Sequence, residues 1–243
     1  IVDEVKAGDA ANPSLKIGEC VRIFTGAVVP DNADAVIMQE KTIRKQDTVT
    51  IETTVNKGQN IRLVGSQVKK GDFPLEKGQV LQASGLAFLK SLGIDEVEVV
   101  RSPKVTIVIT GNELITSSEK LSRGKIYESN SILLQAALLN QGIETKLISF
   151  TEDSLKETIN NLKKAFFNSD IVLVSGGISV GDYDFVKQAL KEFDVKEIFY
   201  KVRQRPGKPL FFGKKDQGFV FALPGNPAST LSCFYVYVLP LLT

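Results

Sequence analysis

Two periodicities divide the chain. From residue 1 to about 75, β-branched and apolar residues cluster at 20–25, 35–39 and 48–55, and turn-formers interrupt them at Gly26, Pro30-Asp31-Asn32 and Lys57-Gly58. Such clusters predict short strands, and strands this short with turns this frequent predict a small barrel or sandwich. No helical spacing is sustained there. Between Gly78 and Gly93 the period lengthens, and Leu81, Leu86, Leu89 and Leu92 suit a short helix closed by Gly93.

The texture changes again after Arg101. Residues 104–110 (KVTIVIT) form an apolar, β-branched run of the kind buried on both faces of a sheet. A helix is predicted over 132–139, capped by Ser129 or Asn130 and closed by Gly142, followed by a strand over 145–150. Leu155, Ile159, Leu162 and Phe166 then recur at helical spacing behind Asp153 as candidate cap. A buried-type strand over 171–175 and an amphipathic helix over 183–193 come next. Two short strands over 210–212 and 219–223 precede a final helix that has Asn226 as cap and Pro227 in its first turn. Strand and helix alternating in this way imply parallel pairing with right-handed crossovers, hence a three-layer α/β domain behind a small β-rich one.

Composition narrows the chemistry. Thirty basic and twenty-eight acidic residues give the 243-residue chain a net charge of +2, and no Lys/Arg run exceeds two, so no nucleic-acid footprint is present. No apolar run approaches the roughly 20 residues of a membrane span. Cys20 and Cys233 form neither a ligand spacing nor a disulfide framework, which makes a reduced cytoplasmic setting the expectation. The absence of histidine excludes Ser-His and Cys-His nucleophilic pairs and imidazole metal sites. Catalysis would fall to carboxylates, lysines, hydroxyls, backbone amides or a bound metal ion. The one methionine is Met38, so the chain reads as an internal stretch of a longer protein.

In doubly wound sheets, ligands bind beyond the carboxyl ends of the strands. Four loops of unusual composition are expected there: TGNE (110–113), SGGISVGDYD (175–184), RPGKP (205–209) and LPGNP (223–227). The glycines of the second let backbone approach a ligand and lead into a helix start that favours anions. The third holds two cations on a stiff turn. Each loop taken singly also has an ordinary structural explanation as turn, cap or solvated face, and Glu152 and Asp153 are best explained as helix-start residues. Together, anion-binding backbone, cations and carboxylates on one sheet edge describe a pocket for phosphate and metal. Neither a P-loop nor a GxGxxG pattern occurs.

The set TGNEL (110–114), SGGISVGDYD, RPGKP and LPGNP, in this order and spacing, resembles the molybdopterin molybdenumtransferases, the family of MoeA and the gephyrin E domain. GECVRIFTGAVVP (18–30) and GQNIR (58–62) resemble that family's β-rich domain. The resemblance implies that residues 1–73 are the family's second domain, 74–100 the returning part of its first, and 101–243 its molybdopterin-binding domain. It further implies a central piece without the N-terminal segment and C-terminal domain.

The activity implied is insertion of molybdate into adenylated molybdopterin with release of AMP, assisted by a divalent ion such as Mg²⁺. Carried over by position, Lys201, Arg205 and Lys208 would hold molybdate or phosphate. Asp184 and Glu113 would bind metal or orient substrate. Ser175, Gly176, Gly177 and Ser179 would receive the pterin phosphate, and Pro224 and Pro227 would shape the wall. Thr25 and Arg62 would complete the partner's site in a homodimer, and substrate would be handed over by a molybdopterin adenylyltransferase. Two departures are present. Arg205 replaces the lysine of many relatives, and Gln67 stands where an aspartate is common, which puts any metal-binding or water-activating role there in doubt. Two other readings stay open: an adenylyltransferase, which shares the α/β domain but not the β-rich one, and a non-catalytic molybdopterin-binding scaffold.

Overall fold

The structure is a computed structural model and describes residues 1–151, 154–178 and 185–242. The chain forms two compact units, Ile1–Val97 and Glu98–Thr243.

In the first unit β1 (Asp3–Val5) pairs in parallel with β2 (Val21–Ile23), and β3 (Thr42–Lys45) pairs antiparallel with β4 (Thr48–Ile51). Its helix, α1, runs over Ala83–Ser91. The strand expected over 35–39 does not form. The Val36 N–H donates to the Gln59 carbonyl at 2.9 Å, but the Val36 carbonyl accepts from the Asn60 side chain at 2.8 Å, so no ladder propagates. Nor do the strands close a barrel; among the described residues they remain two separate pairs. Only Val5 and Leu89 of the unit's hydrophobic side chains are fully buried, so no shared apolar face joins the pairs.

The second unit is built on a six-stranded sheet in the order β10-β11-β12-β9-β5-β8. Its strands are β5 (Val105–Thr110), β8 (Thr145–Thr151), β9 (Ile171–Ser175), β10 (Lys196–Tyr200), β11 (Phe211–Lys215) and β12 (Gly218–Leu223). The pairs β12–β9, β9–β5 and β5–β8 are parallel, and β10–β11 and β11–β12 antiparallel. Every residue of β5 and β9 is buried, as the KVTIVIT run predicts. Alternation sorts their side chains into two cores. Val105, Ile107, Ile109, Leu173 and Phe221 pack against Leu134 and Leu138 of α2 (Asn130–Leu139) and against Cys233 of α5 (Pro227–Cys233). Val108, Val172, Val174 and Val220 pack on the other face against Leu162 of α3 (Leu155–Asn168) and Leu190 of α4 (Phe185–Glu192). Helix on sheet on helix is the expected three-layer α/β architecture.

Two smaller strands, β6 (Leu114–Ile115) and β7 (Ile126–Tyr127), pair beside this sheet, and the chain ends in a π-helical turn (Phe234–Val238) and α6 (Leu239–Leu242). Helix α3 is capped by Ser154, whose side chain accepts from the Glu157 N–H; the candidate cap Asp153 lies outside the described residues. The strand expected over 210–212 begins one residue later and runs to Lys215. The edge strand β10 escapes the pattern because its first half is charged and exposed, which is how edge strands avoid pairing with other chains. No helix among the described residues is long and apolar enough to cross a membrane.

Candidate functional site

Register brings three strand ends into one row: Ile109 lies opposite Ser175, and Ser175 opposite Leu223. One residue earlier a second row crosses five strands, Tyr200, Phe211, Ala222, Val174 and Val108. Because β10 and β12 are both antiparallel to β11, they point the same way, and Lys201 leaves the sheet at that same edge. The loops after β5, β9, β10 and β12 therefore meet at one edge.

The glycine loop fits there because Gly176 and Gly177 have no side chains. Gly176 has φ of +92°, and a Cβ would collide with the Thr110 carbonyl oxygen; at Gly177, with φ of +59°, it would lie 2.7 Å from Val186 and 2.8 Å from Thr110. Both positions require glycine for conformation and for space. The buried Ser175 hydroxyl donates to the Pro224 carbonyl at 3.3 Å, and the Gly176 N–H to the Leu223 carbonyl, also at 3.3 Å. At the fourth loop the Asn226 side chain accepts from the Ser229 N–H at 3.2 Å, with Pro227 at the first turn of α5. The buried Pro224 carbonyl also accepts from the Thr230 hydroxyl.

Asn130 ties these loops together, a role the sequence reading gave it only as a possible cap. Its amide donates to Ser175 Oγ at 2.9 Å and to the Gly225 carbonyl at 2.7 Å, while its buried Oδ1 has no partner among the described residues. Such an orphan acceptor costs about 1–3 kcal/mol, so the loops are held together at the expense of stability. The helix cap is Ser129, without a side-chain bond. Glu113, Asn130, Ser175, Gly176, Gly225 and Pro227 line a single pocket. The Glu113 carboxylate is exposed and lies against Gly111, where a Cβ would sit 2.9 Å from it.

The cations occupy a separate turn at the same edge. Lys201 (φ +68°), Arg205 and Lys208 are all exposed. The Lys201 N–H donates to Leu210 O at 2.8 Å and the Val202 N–H to Lys208 O at 3.0 Å, which closes the turn. The Lys201 ammonium stands 4.9 Å from the centre of the Tyr200 ring. Ser179 and Asp184 lie outside the described residues. Thr25 and Arg62 belong to the first unit, where both are exposed: Thr25 in the turn closed by the Ala27 N–H on the Phe24 carbonyl, Arg62 just after the turn closed by Ile61 on Gly58. Gln67 is exposed as well. The first unit also has a cavity of about 490 Å³ lined by Leu75, Gln79, Leu81, Gln82, Ser84 and Phe88, with no charged side chain.

Among the described residues no group of three or more Asp, Glu, Cys or His comes together around a possible metal position. The hard carboxylate oxygens of Glu113 nevertheless suit Mg²⁺, which binds through one or two carboxylates together with water and substrate phosphates.

The profile of a probable molybdopterin binding domain matches residues 106–243, and that of the MoeA N-terminal region (domain I and II) residues 2–93. A molybdopterin molybdenumtransferase of Staphylococcus aureus is 37% identical over 240 residues, covering 99% of this chain and 57% of its own length. One from Staphylococcus epidermidis is 35% identical over the same coverage. The crystal structure of the molybdopterin biosynthesis MoeA protein from Pyrococcus horikoshii OT3 superposes with a TM-score of 0.79 at 34% identity, over 100% of this chain and 59% of that one. The chain thus spans less than two thirds of the length of each of these relatives. With both halves of the sequence matched, residues 2–93 and 106–243, and relatives of one kind covering 99% of the chain, the chain belongs to the molybdopterin molybdenumtransferase (MoeA) family.

Proposed function

We propose that the protein carries out the last step of molybdenum cofactor assembly, inserting molybdate into adenylated molybdopterin with release of AMP. The observation that carries this reading is the meeting, at one sheet edge, of a loop with a close-packed Gly-Gly pair and an exposed cation turn. Both substrates are anions. A loop whose two glycines carry no side chain lets phosphate approach the backbone closely, and Lys201, Arg205 and Lys208 would offset its charge. Arg205 presents a planar fork of donors, suited to two oxygens of one oxyanion. Ser179 would complete the phosphate contacts, Ser175 would brace the loop from beneath through its bonds to Pro224 and Asn130, and Pro224 and Pro227 would shape the wall.

Glu113, with Asp184, would hold a divalent ion, which when bound would offset the negative charge that builds as the phosphoanhydride breaks. The protein's own groups bind, orient and neutralise; no side chain has to move a proton through imidazole. Residues 1–73 would form the family's second domain, 74–100 the returning part of its first and 101–243 its third. Thr25 and Arg62 would then complete the site across a homodimer. The exposed apolar residues Ile17, Leu63, Val64 and Phe73 of the first unit, each at least 70% exposed, favour a covered surface of this kind. Substrate would come from a molybdopterin adenylyltransferase.

The test is AMP release by the full-length protein and its variants. Lys208→Ala and Asp184→Asn are each expected to lower the molybdate-dependent rate by about 10²-fold or more. A scaffold that only binds molybdopterin would release no AMP in any form.

A further inference from the structure

The turn that carries Arg205 and Lys208 is held from its inner side by Gln204 of its own run and by two groups from outside it, Tyr237 and Cys233. Four cations, Lys201, Arg203, Arg205 and Lys208, fall within eight residues, and among the described residues none has a carboxylate within ion-pair distance. Like charges this close repel, so the turn needs a restraint if it is to present its cations to one anion in a fixed geometry.

Gln204 supplies that restraint from the middle of the run. It is half-buried, its amide nitrogen donates to the Pro206 carbonyl at 2.9 Å, and its amide oxygen accepts from the Tyr237 hydroxyl at 2.8 Å. The Pro206 carbonyl can only accept, which fixes which end of the amide faces it. Gly207 lies flat against this arrangement. It is buried with φ of +97°, and a Cβ there would sit 2.5 Å from the Gln204 nitrogen and 2.6 Å from Cys233 Sγ. The Cys233 thiol in turn points its weak donor at the Gly207 carbonyl, 3.7 Å away.

Tyr237 reaches Gln204 from the π-helical turn Phe234–Val238. A π turn carries one residue more than an α turn, so in a regular helix Tyr237 would be rotated away by about 100°. Its ring is seated against Phe199 of β10, with centroids 6.0 Å apart. The hydroxyl is thus aimed from a rigid element at the one uncharged side chain between Arg203 and Arg205.

We infer that Tyr237, acting through Gln204, is a positioning residue for oxyanion capture: it holds the Arg205–Lys208 turn in the geometry that receives molybdate. This rests on the function proposed above. Tyr237 touches no substrate, and its effect reaches the anion only through the cations of the turn.

Tyr237→Phe removes one oxygen and keeps the ring, so the variant is expected to fold. In the full-length protein, AMP release is measured against molybdate at saturating adenylated molybdopterin, and against adenylated molybdopterin at saturating molybdate. The expected result is a KM for molybdate raised about tenfold, with kcat and the other KM within about twofold. Gln204→Glu keeps an acceptor for Tyr237 but loses the donor to Pro206, so it should raise the molybdate KM at least as much. A lowered melting temperature with an unchanged molybdate KM, or an equal rise in both KM values, overturns the inference. Calorimetric titration with molybdate alone separates the two levels of argument. If wild type binds molybdate but releases no AMP, the functional reading fails, and the positioning role stands or falls on whether Tyr237→Phe weakens that binding. No molybdate binding by wild type overturns both.

Discussion

Gly176 and Gly177 show how the lack of a side chain lets a loop pack where no other residue would fit. Each combines a left-handed backbone with a neighbour where a Cβ would go, Thr110 in both cases. Gly177→Ala is expected to lower stability by about 2–4 kcal/mol, from backbone strain and overpacking together, read as the urea midpoint. The sequence marks this loop by its glycines but not by what presses on it, because Thr110 is 66 positions upstream of Gly176 and meets it only through the β5–β9 pairing. Asn130, Gln204 and Tyr237 were illegible for the same reason: each acts through a partner distant in sequence or on a different element. Cys233 makes a second residue-level prediction. Burial pushes its thiol up to about 11, so the reactive thiolate is scarce at neutral pH. With a maleimide at pH 8, the half-buried Cys20 should react first and Cys233 only as the chain unfolds, as peptide mass mapping would show.

At the scale of elements, the apolar periodicity foretold most of the second unit. Runs buried on both faces read as central strands, and strand–helix alternation predicted the parallel pairing of β5, β8 and β9, though not the strand order or the antiparallel pairs of β11. What it could not give was the edge, since β10 has charged residues where a central strand would have apolar ones. In the first unit the pattern named strands that form only partly, because β-branched residues favour a strand only where a partner completes the ladder. Helix α3 depends on its cap, and Ser154→Ala should cost about 1 kcal/mol, measured by thermal melting. At the sheet edge remote from the site, Asp170 anchors the entry to β9. Arg101 binds it through both guanidinium nitrogens, at 2.6 and 2.8 Å, and the Lys104 N–H donates to it at 2.7 Å. The Arg101 hydrogen bonds, then that of Lys104, lower its carboxyl from 3.8 to about 2. A carboxyl lowered by folding stabilises above its unfolded pKa and loses that contribution as the pH falls to the folded one. Unfolding midpoints measured from pH 5 to pH 2 should therefore fall between about 3.8 and 2, and more shallowly in Asp170→Asn.

For the whole molecule, the two units differ in how they are held. The second encloses two cores around one sheet, whereas the first buries little and leaves apolar side chains open to solvent. The proposed dimer accounts for that difference and makes a prediction of its own. Arg62→Ala and Lys208→Ala would each disable every site, but in a mixed dimer one site would have both residues intact. Mixing the two inactive variants under exchange should restore about a quarter of wild-type AMP release. No recovery, with subunit exchange demonstrated, would contradict a site shared between protomers. The central claim, insertion of molybdate coupled to AMP release, is tested most directly by stoichiometry in the full-length protein. Adenylated molybdopterin and Mg²⁺ are incubated with and without molybdate, and AMP and protein-bound molybdenum are both counted. One AMP per molybdenum incorporated, and next to none without molybdate, is the predicted result. AMP released at the same rate without molybdate, or molybdenum taken up without AMP, would contradict it.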